Sequence, residues 1–334
     1  MLQPQIPGHD IVDSPIYCFL VENDKVGKKL MYDLGMMKDW EERQAPSIRD
    51  QLQSANVTIE IPSDVVDILN SASVPLSSIN SIVWSHHHLD HAGDPSLFPP
   101  TTSLVVGPGF KSNRETYPGY PNNPDAHTVQ DAFEGRDLIE LDFNASLLKV
   151  SGLRAIDWFE DGSFYILEAP GHTSDHIMAL ARDAAHHAGE FRPNPLLPLP
   201  ESILPSPFEA PRSVIAYPGS IFEQIHPSSN SHDGGSFRTT PFYELLPYVN
   251  SDPATGRATL EALKVLDASP DVLVIFTHDP SFRDVLEFYP KGDLAGWERQ
   301  DGQPNAKEAG TWRFLRDFGT KDIQELVKAQ QKTE

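Results

Sequence analysis

The segment at residues 85–91, Ser-His-His-His-Leu-Asp-His, constrains this chain more than any other. It places four of the chain's 13 histidines within six positions, with Asp90 among them. Residues 79–84, Ile-Asn-Ser-Ile-Val-Trp, precede it and predict a buried strand, while Ala92 and Gly93 after it predict a tight turn. In a loop leaving a strand, alternate side chains project together. His86 and His88 would therefore face one centre, Asp90 and His91 would swing onto an adjacent one, and His87 would point elsewhere. An imidazole offers a lone pair and a carboxylate an anionic oxygen, and zinc accepts both at roughly 2.0–2.2 Å. The competing interpretation is a solvated histidine loop, and the buried strand leading into the segment argues against it.

Composition narrows the remaining classes. A net charge of -22 without any cluster of Lys or Arg argues against nucleic acid, because phosphate binding is driven by cationic side chains releasing counterions. The same charge argues against anionic membrane surfaces, and no apolar run approaches the ~20 residues of a spanning helix. The first residues, Met-Leu-Gln-Pro-Gln-Ile-Pro, lack a basic start and an apolar core, so no secretory signal is expected and the expected location is cytoplasmic. The single cysteine, Cys18, excludes an internal disulfide and a cysteine-based metal site. It lies in the apolar run 16–20 and is expected to be an inert core thiol, which leaves histidines and carboxylates to hold any metal.

Along the chain, residues 16–22 and 29–33 predict two strands joined by a polar turn. Ser63 is expected to cap a helix over 64–70. Residues 104–107, 164–168, 177–180 and 272–276 predict further strands, 260–266 a helix and 312–318 an amphipathic piece. The tail beyond is expected to fray. Six prolines between 191 and 208 predict an irregular loop, with Leu196, Leu197, Leu199, Ile203 and Leu204 as packing groups. Interleaved strands and helices point to an α/β class with mixed sheets. The expected organisation is one domain over 1–334 with a Pro-rich loop insertion at about 191–250.

Two further histidines stand at predicted strand ends, where α/β sites form: His172 after Pro170 and Gly171, and His278 after the apolar run 272–276. With these in place the pattern resembles the metallo-β-lactamase superfamily. The resemblance rests on His86-x-His88-x-Asp90-His91, the turn Pro170-Gly171-His172-Thr173, the step into His278, and Tyr32-Asp33-Leu34-Gly35. It runs from about Tyr17 to about Asp279, and within the family the chain resembles the quorum-quenching lactonase branch and its fungal lactamase and lactonase relatives, some of which open benzoxazolinones.

The resemblance implies a four-layer αββα sandwich of two mixed sheets holding two zinc ions. His86, His88 and His172 would hold one ion, and Asp90, His91 and His278 the other. Asp33 would buttress the site, and His176 matches a second histidine that is usually not a ligand. The family also carries a bridging aspartate at the end of a hairpin after the His172 turn, and Asp183 is its counterpart here. The spacing is short. Only residues 177–182 separate His176 from Asp183, enough for one strand, and at about 3.3–3.6 Å per residue they would carry Asp183 more than ~20 Å away. Either the chain folds back irregularly there or the second metal site is impaired. His186 and His187, which follow, are expected in a loop.

The implied activity is opening of a small cyclic ester or amide (a lactone, γ-lactam or cyclic carbamate) by a metal-bound hydroxide, with Asp90 moving the proton to the leaving atom. A small uncharged molecule is the expected partner. The alternatives are a degenerate or single-metal member with weak catalysis, and a thioester hydrolase. Leu196, Leu199, Phe208 and Phe222 would serve either as a pocket roof or as plain packing.

Overall fold

Asn23 starts the fold, because its side-chain oxygen accepts the backbone N–H groups of Lys25 and Val26 and so closes a turn on itself. That turn folds β1 (Phe19–Asn23) antiparallel onto β2 (Lys28–Tyr32), with Phe19 opposite Tyr32. The chain is seen here in a computed structural model that describes residues 4–6, 9, 13–55, 57–180, 187–230, 236–244, 252–299 and 303–318. Its contacts divide it into two compact units, one over Ile16–Asp183 and one over Met1–Pro15 with Ala184–Glu334.

In the first unit, β2 continues the sheet through parallel pairing with β3 (Ser81–Val83), then β4 (Ser103–Val106) and β5 (Leu138–Glu140). A second sheet is an antiparallel meander of β6 (Lys149–Val150), β7 (Leu153–Asp157), β8 (Tyr165–Glu168) and β9 (Ile177–Ala179). Side chains alternate across a strand, and the sequence exploits that period. Met31, Ile82, Leu104 and Val106 face a core shared with Val65 and Leu69 of the helix Val65–Ser71. Leu30, Tyr32, Val83 and Val105 face the other way, onto Ile166, Ile177 and Ala179 of the second sheet. This unit is thus a helix layer, a mixed sheet and an antiparallel sheet. Each such buried aliphatic side chain stabilises the stack by about 1.5–3 kcal/mol relative to exposure.

Two glycines allow the layers to meet. A Cβ on Gly107 would lie 1.9 Å from the carbonyl oxygen of Asp175, so only glycine lets the end of β4 approach the turn before β9. Gly93, at φ +50°, would place a Cβ 2.4 Å from that of Leu34. Helix Val65–Ser71 is capped by Asp64, which accepts from the N–H of Asp67 at 2.9 Å, and not by Ser63 as expected. Cys18 is half-buried at the rim of the core rather than enclosed within it.

The second unit is built around the helix Pro253–Ala268. Asp252 caps it by accepting from Ala254 and Thr255, and Pro253 fills its first turn, where the missing N–H costs nothing. Leu260 and Leu263 bring it onto Phe191, Phe222, Phe276, Phe314 and Phe318. Arg192 pairs in two bonds with Asp267, at 2.7 and 2.6 Å, and both are buried. Residues 273–276 are buried as expected and Val272 is half-buried, and no strand is assigned to 272–276 among the described residues. The run 191–208 is irregular, and its apolar groups split: Leu199 and Ile203 are core, while Leu196 and Leu204 are more than half exposed. Leu199 and Phe222 belong to the buried core of this unit, whereas Leu196 does not. Among the described residues no helix is long and apolar enough to cross a membrane. The expected fraying tail, beyond 318, lies outside the described residues.

Candidate metal centre

β3 is only three residues long and wholly buried, so the chain leaves it already fixed at Ser85. The loop that follows is tied at both ends. Trp84 Nε1 donates to the carbonyl of Ala92 at 2.9 Å, and Leu34 N–H donates to that of His91 at 2.8 Å. Ile177 N–H donates to the carbonyl of Ser85 at 2.8 Å, which pins the start of β9 to the same loop.

Within that frame, one nitrogen each of His86, His88 and His172 lies within 4.8 Å of the others. His88 Nδ1 is 2.9 Å from His86 Nε2 and 3.1 Å from His172 Nε2. Two donors each about 2.0–2.1 Å from a tetrahedral zinc lie roughly 3.3 Å apart, so these three nitrogens have the spacing of a ligand set. Their protonation fits as well. Burial, reinforced by the neighbouring imidazoles, holds His86 well below the ordinary histidine range, and burial with His87 nearby lowers His88 to about 3. Both rings are therefore neutral at pH 7, with lone pairs to give.

Asp33 assigns those lone pairs. It sits at φ +58°, a left-handed conformation that few side chains adopt, and it gathers three donors. Its Oδ1 accepts from the Ser85 N–H at 2.6 Å, and its Oδ2 accepts from the Ser85 hydroxyl and from His91 Nδ1, both at 2.8 Å. With its proton given to Asp33, the Ser85 hydroxyl is an acceptor for His86 Nδ1 at 3.1 Å. The network thus protonates His86 and His91 on Nδ1 and leaves Nε2 of each as the electron-pair donor. Asp90 has a quarter-exposed side chain, and its Oδ2 lies 3.5 Å from His91 Nε2.

His87 turns away from this group, as the alternation of the loop requires, and its Nδ1 meets Asp175 Oδ1 at 2.8 Å. His176 donates from Nδ1 to the carbonyl of Ala169 at 2.8 Å, with its ring 5.2 Å from that of His86. Sequence reasoning missed Ser85 and Asp175. A polar residue beside a predicted ligand, and a histidine in the motif without a ligand role, were the signals that each needed a partner. His278 belongs to the second unit, where its Nδ1 is 3.3 Å from the carbonyl of Pro15. Asp183 and His186 lie outside the described residues. His187 stands in a bend, as expected of a loop residue, and is buried within the second unit, where its ring accepts from the Gly189 N–H and caps a short turn.

Comparison with known proteins gives this arrangement its family. Residues 11–184 match the model of the Metallo-beta-lactamase superfamily. A gamma-lactamase of Fusarium pseudograminearum is 33% identical over 98% of this chain and 79% of its own length. A gamma-lactamase of Gibberella moniliformis is 43% identical over 59% of this chain and 87% of its own. Among solved structures, a quorum-quenching N-acyl homoserine lactone hydrolase aligns over 83% of this chain and 85% of its own, at 14% identity and a TM-score of 0.48. The chain belongs to the metallo-β-lactamase superfamily, as a hydrolase with that family's α/β fold of mixed sheets and its dependence on metal.

Proposed function

We propose that this hydrolase opens a small cyclic amide or ester, with a γ-lactam as the first choice and a lactone or cyclic carbamate as close variants. The observation that carries this reading is the convergence of imidazole nitrogens from the buried His86 and the half-buried His88 and His172 within 4.8 Å of one another. The gamma-lactamase names of two relatives favour a lactam over the other rings. Zinc suits the donors, and His86, His88 and His172 would hold one ion; Asp90 and His91 would serve a second, for which the family pattern alone names His278 and Asp183 as further ligands. Zinc bound there supplies a Lewis acid for the carbonyl and lowers the pKa of water.

The chain's own residues do the rest. Asp33 and Ser85 keep the Nδ1 protons of His86 and His91 in place, so that neither ring has to change tautomer during turnover. The low exposure of His86 and His91 keeps bulk water from competing for their Nε2 atoms. The Asp90 carboxylate, open enough to meet substrate, accepts a proton from the attacking water and returns it to the leaving nitrogen or oxygen.

The test is metal content together with hydrolysis of a panel containing a γ-lactam, a benzoxazolinone, a lactone and a thioester. The expected result is bound zinc and turnover of at least one cyclic amide or ester. Turnover of the thioester alone would reject the ring-opening assignment.

A further inference from the structure

The geometry points to an additional divalent-metal site at His87, Glu115 and His127, taking a zinc-class ion through two imidazoles and one carboxylate. One donor atom of each lies within 4.8 Å of the other two. None of the three is used by the hydrolytic chemistry, and the inference stands independently of the ring-opening assignment.

The tautomer of His87 is what makes a ligand of it. Its Nδ1 meets the buried Asp175 carboxylate at 2.8 Å, and a carboxylate only accepts. The proton therefore sits on Nδ1, and Nε2 carries the free lone pair. A carboxylate behind one ring nitrogen is the arrangement that orients metal-binding imidazoles and raises their basicity. The other two donors come from one closed loop. His127 N–H donates to the Glu115 carbonyl at 2.7 Å, Tyr120 N–H to Thr128 at 2.9 Å and Gln130 N–H to Tyr120 at 2.8 Å. The His127 ring stacks on that of His87, with centroids 6.2 Å apart. His87 is buried, His127 half-buried and Glu115 exposed, so the site opens to solvent on the Glu115 side, which leaves a coordination position for water. An ion there exchanges more readily than one held by His86, His88 and His172, none of which is exposed.

The same logic rejects another group. His9, His187 and Asp317 of the second unit are as close together. There, however, His187 Nδ1 accepts the Gly189 N–H at 2.9 Å, so the proton is on Nε2 and is donated to Asp317 at 3.2 Å. His187 has no lone pair left for a cation, and the group is a partly buried hydrogen-bonded network.

The experiment strips the full chain with a chelator, titrates it with Zn2+ alone and counts bound zinc after desalting, for wild type, His127→Ala and Glu115→Gln. Wild type should take up one equivalent per chain more than either variant, in a weaker class that chelator removes first. Asp175→Asn should weaken that class by about 10–100-fold. Glu115→Gln changes an exposed carboxylate and keeps the backbone carbonyl that His127 uses, so it decides the matter should His127→Ala fail to fold. Equal zinc uptake by wild type and Glu115→Gln at every concentration would overturn the site.

Discussion

Asp33 and His91 are joined by a 2.8 Å contact between Oδ2 and Nδ1, although 58 positions separate them in the chain. The contact makes the end of β2 responsible for the tautomer of a side chain that the loop after β3 presents. A carboxylate with a strained backbone under a histidine is a costly arrangement unless the histidine's other nitrogen is needed.

Replacing that carboxylate should therefore weaken metal binding without removing a ligand. Asp33→Asn is expected to lower zinc affinity by about 10–100-fold, measured by competition with a chromogenic chelator. An unchanged affinity would mean that Asp33 serves the backbone of Ser85 alone.

The buried pair Arg192–Asp267 should matter to stability and not to metal. Asp267→Ala leaves a guanidinium uncompensated in the core of the second unit, which costs about 3–5 kcal/mol. Urea unfolding should show the loss in full in both metal-loaded and metal-free protein. A cost under about 1 kcal/mol would show that Arg192 finds another partner.

These two pairs also show what the sequence could and could not reveal. His86, His88, Asp90 and His91 are legible because metal-ligand spacing is local, and the apolar strand before them fixes their setting. Asp33 is legible only as part of a resemblance, since nothing near it in sequence indicates His91. Asp175 and His87 meet across 88 positions, and no periodicity reports such a contact. The strands β5, β6 and β7 escape notice because they are short and largely half-exposed, so they carry no clear alternation.

Alkaline pH should test the packing of the Pro-rich region. Burial raises the Tyr217 phenol from 10.0 to about 12, and its hydroxyl has no hydrogen-bond partner among the described residues. The unfolded chain loses this proton near pH 10 while the folded chain keeps it. The resulting contribution is intact below pH 10 and is lost as pH rises toward 12. Tyr217→Phe should match or exceed wild type in Tm at pH 7 and should decline less steeply between pH 10 and 12. Parallel declines would mean that the phenol is hydrated in solution.

The most direct test of the whole account is the zinc content of His88→Ala beside wild type, with ring-opening assayed on the same samples. His88 Nδ1 touches both of the other imidazole nitrogens, so its loss dismantles the trio at its centre. The account predicts that the zinc held by this trio disappears and that turnover falls to background while the fold, read by circular dichroism, persists. Wild-type zinc content together with wild-type turnover in His88→Ala would contradict it.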